Sequence, residues 1–199
     1  WMFRMFYLGE FARPEGLVYQ DFDASVHLIA PFDIPKEWVR VIGMDFGYNN
    51  PMAAVWIAID GDGTCYVYRE YYKTRRLPRE AAEDIREMSQ GETIDAIFVD
   101  PSAPVLIEEL RRQGLNALPA NNTVKEGIAR VSELFRSKRL YVFKGLVNLL
   151  DEIESYSWKV INDQITEEPI KEYDHAMDAL RYGIMGIIEK GKQPRVRAL

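Results

Sequence analysis

The chain has 199 residues, 47% hydrophobic and 28% charged, a balance that supports one globular domain with a full core. Its 25 basic and 31 acidic side chains leave a net charge of -6, which argues against a general nucleic-acid binder, whose footprint is normally positive. No apolar run approaches the roughly 18 residues needed to cross a bilayer, no signal-peptide pattern is visible, and Cys65, the single cysteine, excludes an intrachain disulfide. These features point to a cytoplasmic protein with no membrane partner.

Residues 1–38 mix aromatic and acidic side chains with Pro14, Pro31 and Pro35, hold no sustained period, and read as an irregular lead-in. The large apolar side chains that open it, Trp1-Met2-Phe3 and Met5-Phe6, are out of place at a solvated terminus, so the chain reads as a piece of a longer protein. From Val39 the pattern changes. Val41–Phe46, Met52–Ile59 and Thr64–Tyr72 read as strands, with Gly61-Asp62-Gly63 a turn between the last two, which predicts an antiparallel meander. Pro78–Gln90 carries helix formers with Ala82, Ile85 and Met88 near helical spacing and a stop at Gly91, and Ile94–Val99 is the next strand.

Beyond Asp100 the spacing predicts a helix over 103–113, a short strand over 115–119, a helix over 125–137, a short strand over 140–143, a helix over 146–155, a hairpin over 156–165 pivoting on Asn162-Asp163, and a last helix over 175–189. Alternation of helix and strand implies crossover connections and parallel pairing. The elements give an α/β mixed sheet flanked by helices, and their order resembles the ribonuclease H-like superfold, which implies the strand order 3-2-1-4-5. This domain occupies residues 39–190, and the residues from 191 to 199 form a loose basic tail. There is no Gly-x-x-x-x-Gly-Lys-[Ser/Thr] loop, which excludes P-loop nucleotide binding by this stretch of chain.

Three acidic residues stand out. Asp45 ends Val-Ile-Gly-Met-Asp, Asp100 ends Ala-Ile-Phe-Val-Asp, and Asp178 lies in the last helix, so strands that the order puts side by side present two carboxylates at their carboxyl ends. Unit charges about 4 Å apart repel by roughly 4 kcal/mol at an effective dielectric near 20, so converging carboxylates need a cation. His27, His175 and Cys65 are too few and too scattered for a zinc centre. Oxygen ligands suit a hard ion, which makes Mg2+ or Mn2+ the expected occupant, and a pair of ions suits in-line phosphoryl displacement. Asp174 lies four residues before Asp178 and is read as the N-cap of the last helix, a surface ion pair with Arg181 is the bland alternative to a functional role for Asp178, and His175 is read as a group that orients water or moves a proton. Two basic stretches, Arg69 to Arg79 and Lys125 to Lys144, are either solvated faces or tracks for a phosphate backbone.

Three segments together, Gly-Met-Asp-Phe-Gly-Tyr-Asn-Asn-Pro at 43–51, Val-Asp-Pro-Ser at 99–102 and Asp-His-Ala-Met-Asp-Ala-Leu-Arg-Tyr at 174–182, resemble the C-terminal nuclease domain of phage terminase large subunits. Leu8-Gly9-Glu10-Phe11 and Gly16-Leu17-Val18-Tyr19 look like the family's junction between ATPase and nuclease. The resemblance implies a metal-dependent endonuclease that cuts concatemeric viral DNA during packaging in the host cytoplasm, with Asp45, Asp100 and Asp178 as metal ligands, Asp174 and His175 in support, and two ions when DNA is bound. Implied partners are double-stranded DNA, the ATPase domain of the same protein, the portal and the small terminase subunit. The hairpin over 156–165, with Lys159, looks like the family's accessory hairpin. Competing readings are a DNA-docking or assembly module with a vestigial acidic cluster, and a resolvase or transposase of the same superfold. An actin-like ATPase or sugar kinase needs a second lobe and a second phosphate loop that 199 residues do not supply.

Overall fold

The computed structural model describes residues 16–192, with side chains described through Glu189. The junction-like segment at 8–11 and the basic tail from 193 onward lie outside the described residues.

In chain order the elements are Ala24–His27 (α1), Leu28–Ile29 (β1), Val39–Asp45 (β2), Met52–Ile59 (β3), Cys65–Lys73 (β4), Pro78–Met88 (α2), Ala96–Val99 (β5), Pro104–Arg112 (α3), Ala117–Pro119 (β6), Val124–Arg136 (α4), Leu140–Phe143 (β7), Val147–Ser155 (α5), Trp158–Ile161 (β8), Gln164–Pro169 (β9) and His175–Lys192 (α6). The main sheet has seven strands in the order β1-β7-β4-β3-β2-β5-β6. Its β4-β3-β2-β5-β6 portion is the expected 3-2-1-4-5 arrangement, antiparallel within the meander and parallel from β2 to β5 and β6. Two further strands, β7 and β1, extend the sheet in parallel beyond β4.

The apolar runs of β2, β3 and β5 follow from cover on both faces of the sheet. One face packs Ile42, Met44, Trp56, Ile97 and Val99 against Ala81, Ala82 and Ile85 of α2 and Leu106 and Leu110 of α3. The other packs Val41, Val55, Ile57 and Val67 against Ile128, Val131 and Phe135 of α4, Leu149 and Ile153 of α5, and Met177, Ala179 and Leu180 of α6. Side chains alternate along a strand, so Gly43 and Asp45 share the α6 face with Val41.

A bulge between Trp56 and Ile57 leaves Tyr68 without a register partner on β3, because Trp56 faces Arg69 while Ile57 faces Val67. An extra residue inverts everything downstream of it. Cys65 and Val67 point to the α6 side, whereas beyond the bulge Tyr71 joins the α2 side and Tyr72 reaches α5.

The lead-in is more ordered than its lack of period suggests. Leu17 bridges Ser157, Val18 N–H donates to the Tyr156 carbonyl at 2.8 Å, and Tyr19 and Phe22 pack on Phe135 with ring centroids 5.9 and 5.3 Å apart. These residues act as single anchors across the α4 and α5 ends, so no 3.6- or 2-residue pattern is required of them. Arg40, 4% exposed, donates to the carbonyls of Ile34, Pro35, Lys36 and Trp38 and thereby folds the 34–38 loop onto β2.

The contact that positions α6 is made at glycine. A Cβ on Gly43 would overlap the Ala179 carbonyl, and one on Gly183 would press on Ile57 at 2.6 Å. Helix and strand backbones are therefore closer than any side chain at position 43 allows. Gly43→Ala is expected to cost about 1–3 kcal/mol through overpacking, read as a lower midpoint in urea denaturation with an unchanged slope.

Candidate active site

Asp45 closes β2 and Asp100 follows β5. The parallel register Met44↔Val99, continued by the Asp100 N–H donating to the Met44 carbonyl at 2.9 Å, sets the two aspartates side by side at the carboxyl edge of the sheet. Across this edge comes the first turn of α6, held down at Gly43, and it brings His175 Nδ1 to 3.0 Å from Asp45 Oδ2. Asp178 follows one turn later. The charges of Asp178 and Asp100 both act on Asp45, and Asp178 acts on Asp174, so the predicted acidic residues share one neighbourhood.

Asp45 is 7% exposed, and burial pushes its carboxyl up to about 6; the His175 hydrogen bond opposes that rise, and the Asp178 and Asp100 charges add to it. The hydrogen bond to Asp45 raises His175 above the usual imidazole range against the opposing effect of burial. Burial, then Asp178, raises Asp174. Each of these groups binds protons more readily folded than unfolded. Their favourable contribution is present at low pH and is lost as pH rises through the folded values. Thermal melts in a chelator are therefore expected to show higher stability near pH ~5.5 than near pH ~8, with the difference reduced in Asp45→Asn.

The carboxylates do not stand bare. Asp100 accepts from the Ser102 N–H at 2.9 Å and the Ser102 hydroxyl at 2.7 Å. Asp178 Oδ1 accepts from Arg181 Nη2 at 2.6 Å, and Lys171 Nζ lies 3.7 Å from Asp178 Oδ2. Among the described residues, no three His, Cys, Asp or Glu side chains already form a group that could hold a metal ion. Each acid has instead a local partner of its own. The donor set still fits a hard cation: it is almost entirely oxygen, and Asp174 Oδ2 is buried with no hydrogen-bond partner.

Two expectations change. Arg181 does pair with Asp178, but the pair is not on a solvated surface: the Arg181 side chain is 1% exposed, its Nε has no partner, and Gly127 of α4 leaves room for its stem. Removing Asp178 leaves a buried guanidinium without its counterion, which costs about 3–5 kcal/mol in comparable pairs. Asp178→Ala is thus a folding lesion as well as a change at the site.

Asp174 is the second. Its carbonyl takes the Asp178 N–H at 2.8 Å, as an N-cap residue's does, but the cap's side-chain work belongs to Glu152. Glu152 Oε2 accepts from the Ala176 and Met177 N–H groups at 2.7 and 3.1 Å, and Oε1 accepts from the Tyr72 hydroxyl at 2.6 Å. Glu70 does the same for α5 through the Asn148 and Leu149 N–H groups at 3.1 and 2.8 Å. Sequence pattern cannot find a cap donated from another element. Glu152→Ala is expected to cost about 2 kcal/mol or more, and Asp174→Ala under about 1 kcal/mol. Denaturation of the two variants side by side checks the order.

His27 is structural: Nδ1 accepts from the Asp23 N–H at 2.8 Å, and Nε2 donates to the Phe135 carbonyl at 2.9 Å. The first basic stretch is largely neutralised by acids on and after α2, with Arg69 on Glu92 at 2.6 Å, Arg76 on Asp84 at 2.7 Å and Arg79 on Glu83 at 3.0 Å. In the second, Lys125 meets Glu167 at 2.8 Å and Arg136 meets Asp21 at 3.0 Å.

A family model, Terminase RNaseH-like domain, matches residues 42–186, from the middle of β2 into α6, and so takes in every predicted site residue. The chain belongs to this family. It is 28% identical over 202 residues to the terminase large subunit of Escherichia phage T5, covering 96% of this chain and 46% of the relative. The large terminase of a thermophilic bacteriophage, solved in complex with ADP, superposes with a TM-score of 0.80 at 26% identity over 91% of this chain and 47% of that one. The nuclease domain of the bacteriophage SPP1 large terminase, solved with bound Mn, has a TM-score of 0.61 at 19% identity and covers 79% of this chain and 94% of that one. The chain thus spans about half the length of the full-length terminases it matches, and it corresponds to their C-terminal RNase H-like domain.

Proposed function

We propose that this terminase domain is a divalent-metal-dependent endonuclease that hydrolyses DNA phosphodiester bonds, the cutting half of a viral packaging motor. The observation that carries this reading is the meeting of Asp45, Asp100 and α6 at one sheet edge, fixed by the Met44↔Val99 register and the Gly43 contact. The manganese named for the SPP1 nuclease domain supports a hard cation, and Mg2+ or Mn2+ suits the oxygen-rich donors equally.

In this reading Asp45, Asp100 and Asp178 hold the ion or ion pair, and Asp174 supplies a further oxygen. A metal held there would supply a more acidic water and offset charge developing on the phosphate. Asp45 also orients His175 through the 3.0 Å contact to Nδ1, leaving Nε2 as the atom that takes or returns a proton. Arg181 fixes the Asp178 carboxylate from the buried side. Lys159, which meets Glu168 at 3.3 Å across the β8–β9 hairpin, is available to a DNA backbone once that exposed contact is exchanged.

We also read residues 1–38 as the connection to an ATPase half of the kind that the ADP complex of the thermophilic phage protein points to, with the portal and small terminase subunit as further partners in the host cytoplasm. Among the described residues, no helix is long and apolar enough to cross a membrane. The partnering of each carboxylate within the protein favours a second reading, a DNA-docking module whose acids no longer gather a cation.

Plasmid nicking in Mn2+ separates the two. The wild-type chain is expected to nick, and Asp45→Asn to lose about 100-fold or more of the rate while keeping its circular dichroism, since it removes ligand charge without orphaning a buried cation. Absence of nicking by the wild type returns the docking module, whereas full activity in the variant keeps the nuclease and removes Asp45 from its metal ligands.

A further inference from the structure

Lys171 sits in the short link between β9 and α6, where Tyr173 adopts a left-handed φ of 53° and turns the chain into the helix. Its ammonium is 3.7 Å from Asp174 Oδ2 and 3.7 Å from Asp178 Oδ2, and so bridges the acids that lie one helical turn apart. The bridged groups are nearly enclosed, with the Asp174 and Asp178 side chains 8% and 13% exposed, whereas the Lys171 side chain is 53% exposed. Asp174 Oδ2 has no hydrogen-bond partner.

This asymmetry has a physical consequence. Two carboxylates at i and i+4 repel, and a cation between them relieves the repulsion. Arg181 is buried and anchored on Asp178 Oδ1, so it is a permanent partner. Lys171 approaches the other oxygen of Asp178 from the solvent side on a flexible stem, at a distance longer than a direct hydrogen bond. It is the partner that can leave.

We infer that Lys171 is a tethered counterion that competes with the divalent cation for the Asp174–Asp178 pair and thereby sets the metal concentration at which the site fills. The inference rests on the metal-binding reading of the site. An ion that takes oxygens from both aspartates must displace the ammonium, and the free energy of that displacement is subtracted from metal affinity. Without such a competitor the pair would hold the ion more tightly.

Calorimetric titration of Mn2+ into this chain tests it without reference to cutting. Lys171→Met is expected to bind Mn2+ about tenfold more tightly than wild type, the scale of one unit charge removed from contact distance in a half-solvated setting. Lys171→Arg keeps the charge and is expected to stay within about twofold of wild type, and Lys125→Met, which removes a cation already paired with Glu167, is expected to do the same. Asp45→Asn is the control for the underlying reading and is expected to lose most of the affinity. If Asp45→Asn loses affinity while Lys171→Met gains none, or if Lys125→Met gains as much as Lys171→Met, the counterion role is overturned and the metal site stands. If Asp45→Asn binds like wild type, or if neither wild type nor Lys171→Met binds Mn2+, the metal site itself fails and the counterion role with it.

Discussion

Backbone contact between α6 and β2 is the constraint on which the site depends. Gly43 has no side chain to hold the helix off, so the Ala179 carbonyl rests against the strand, and Gly183 and Gly186 extend the close approach over Ile57 and Phe98. A helix this close to a strand has its rotation and height fixed by hard contact rather than by deformable side chains. That is why His175, one turn up from the contact, meets an aspartate just beyond it on the strand. The cap that Glu152 provides and the Tyr72 hydroxyl behind it hold the same end of α6 from the other side.

Electrostatics sets the second condition. Several acids at one edge of a sheet repel, and the protein meets this repulsion residue by residue: an imidazole for Asp45, a serine hydroxyl and N–H for Asp100, a buried guanidinium and a lysine for Asp178. What remains is concentrated in the Asp45 carboxyl, pushed up to about 6, and in the Asp174 oxygen, which accepts no hydrogen bond and has only the Lys171 ammonium at 3.7 Å. Both are places where a divalent ion would lower the energy of the folded state. The local partners differ in permanence, since Arg181 is enclosed and Lys171 half-solvated, and this difference separates scaffold from exchangeable charge.

The surface charge follows a related pattern. Basic stretches that look like nucleic-acid tracks along the chain are met in space by Glu92, Asp84, Glu83, Glu167 and Asp21. Exposed pairs of this kind are weak and exchange readily with phosphate. With a net charge of -6, they leave the domain with little standing attraction for DNA.

Much of the architecture was legible because it is local. Continuous apolar runs read as doubly covered strands, the Gly61–Gly63 turn and the Asn162-Asp163 pivot read as reversals, and the spacing of helices between strands read as crossovers. Together with the strand order of the superfold that the element order resembles, those features put Asp45 and Asp100 at neighbouring strand ends. Other features were not legible, because they depend on residues that meet only in the folded chain. The bulge at Trp56 inverts the end of β4 and turns Tyr72 toward α5, Leu28 and Ile29 add a strand that no period announces, and Glu152 caps a helix that starts more than 20 residues after it. The chemistry of the chain, oxygen-rich and suited to a hard cation, was written in residue types and their order. Which acids share a neighbourhood, which keep partners of their own and which guanidinium is buried were decided by tertiary packing, since burial and distance set the cost of every charge.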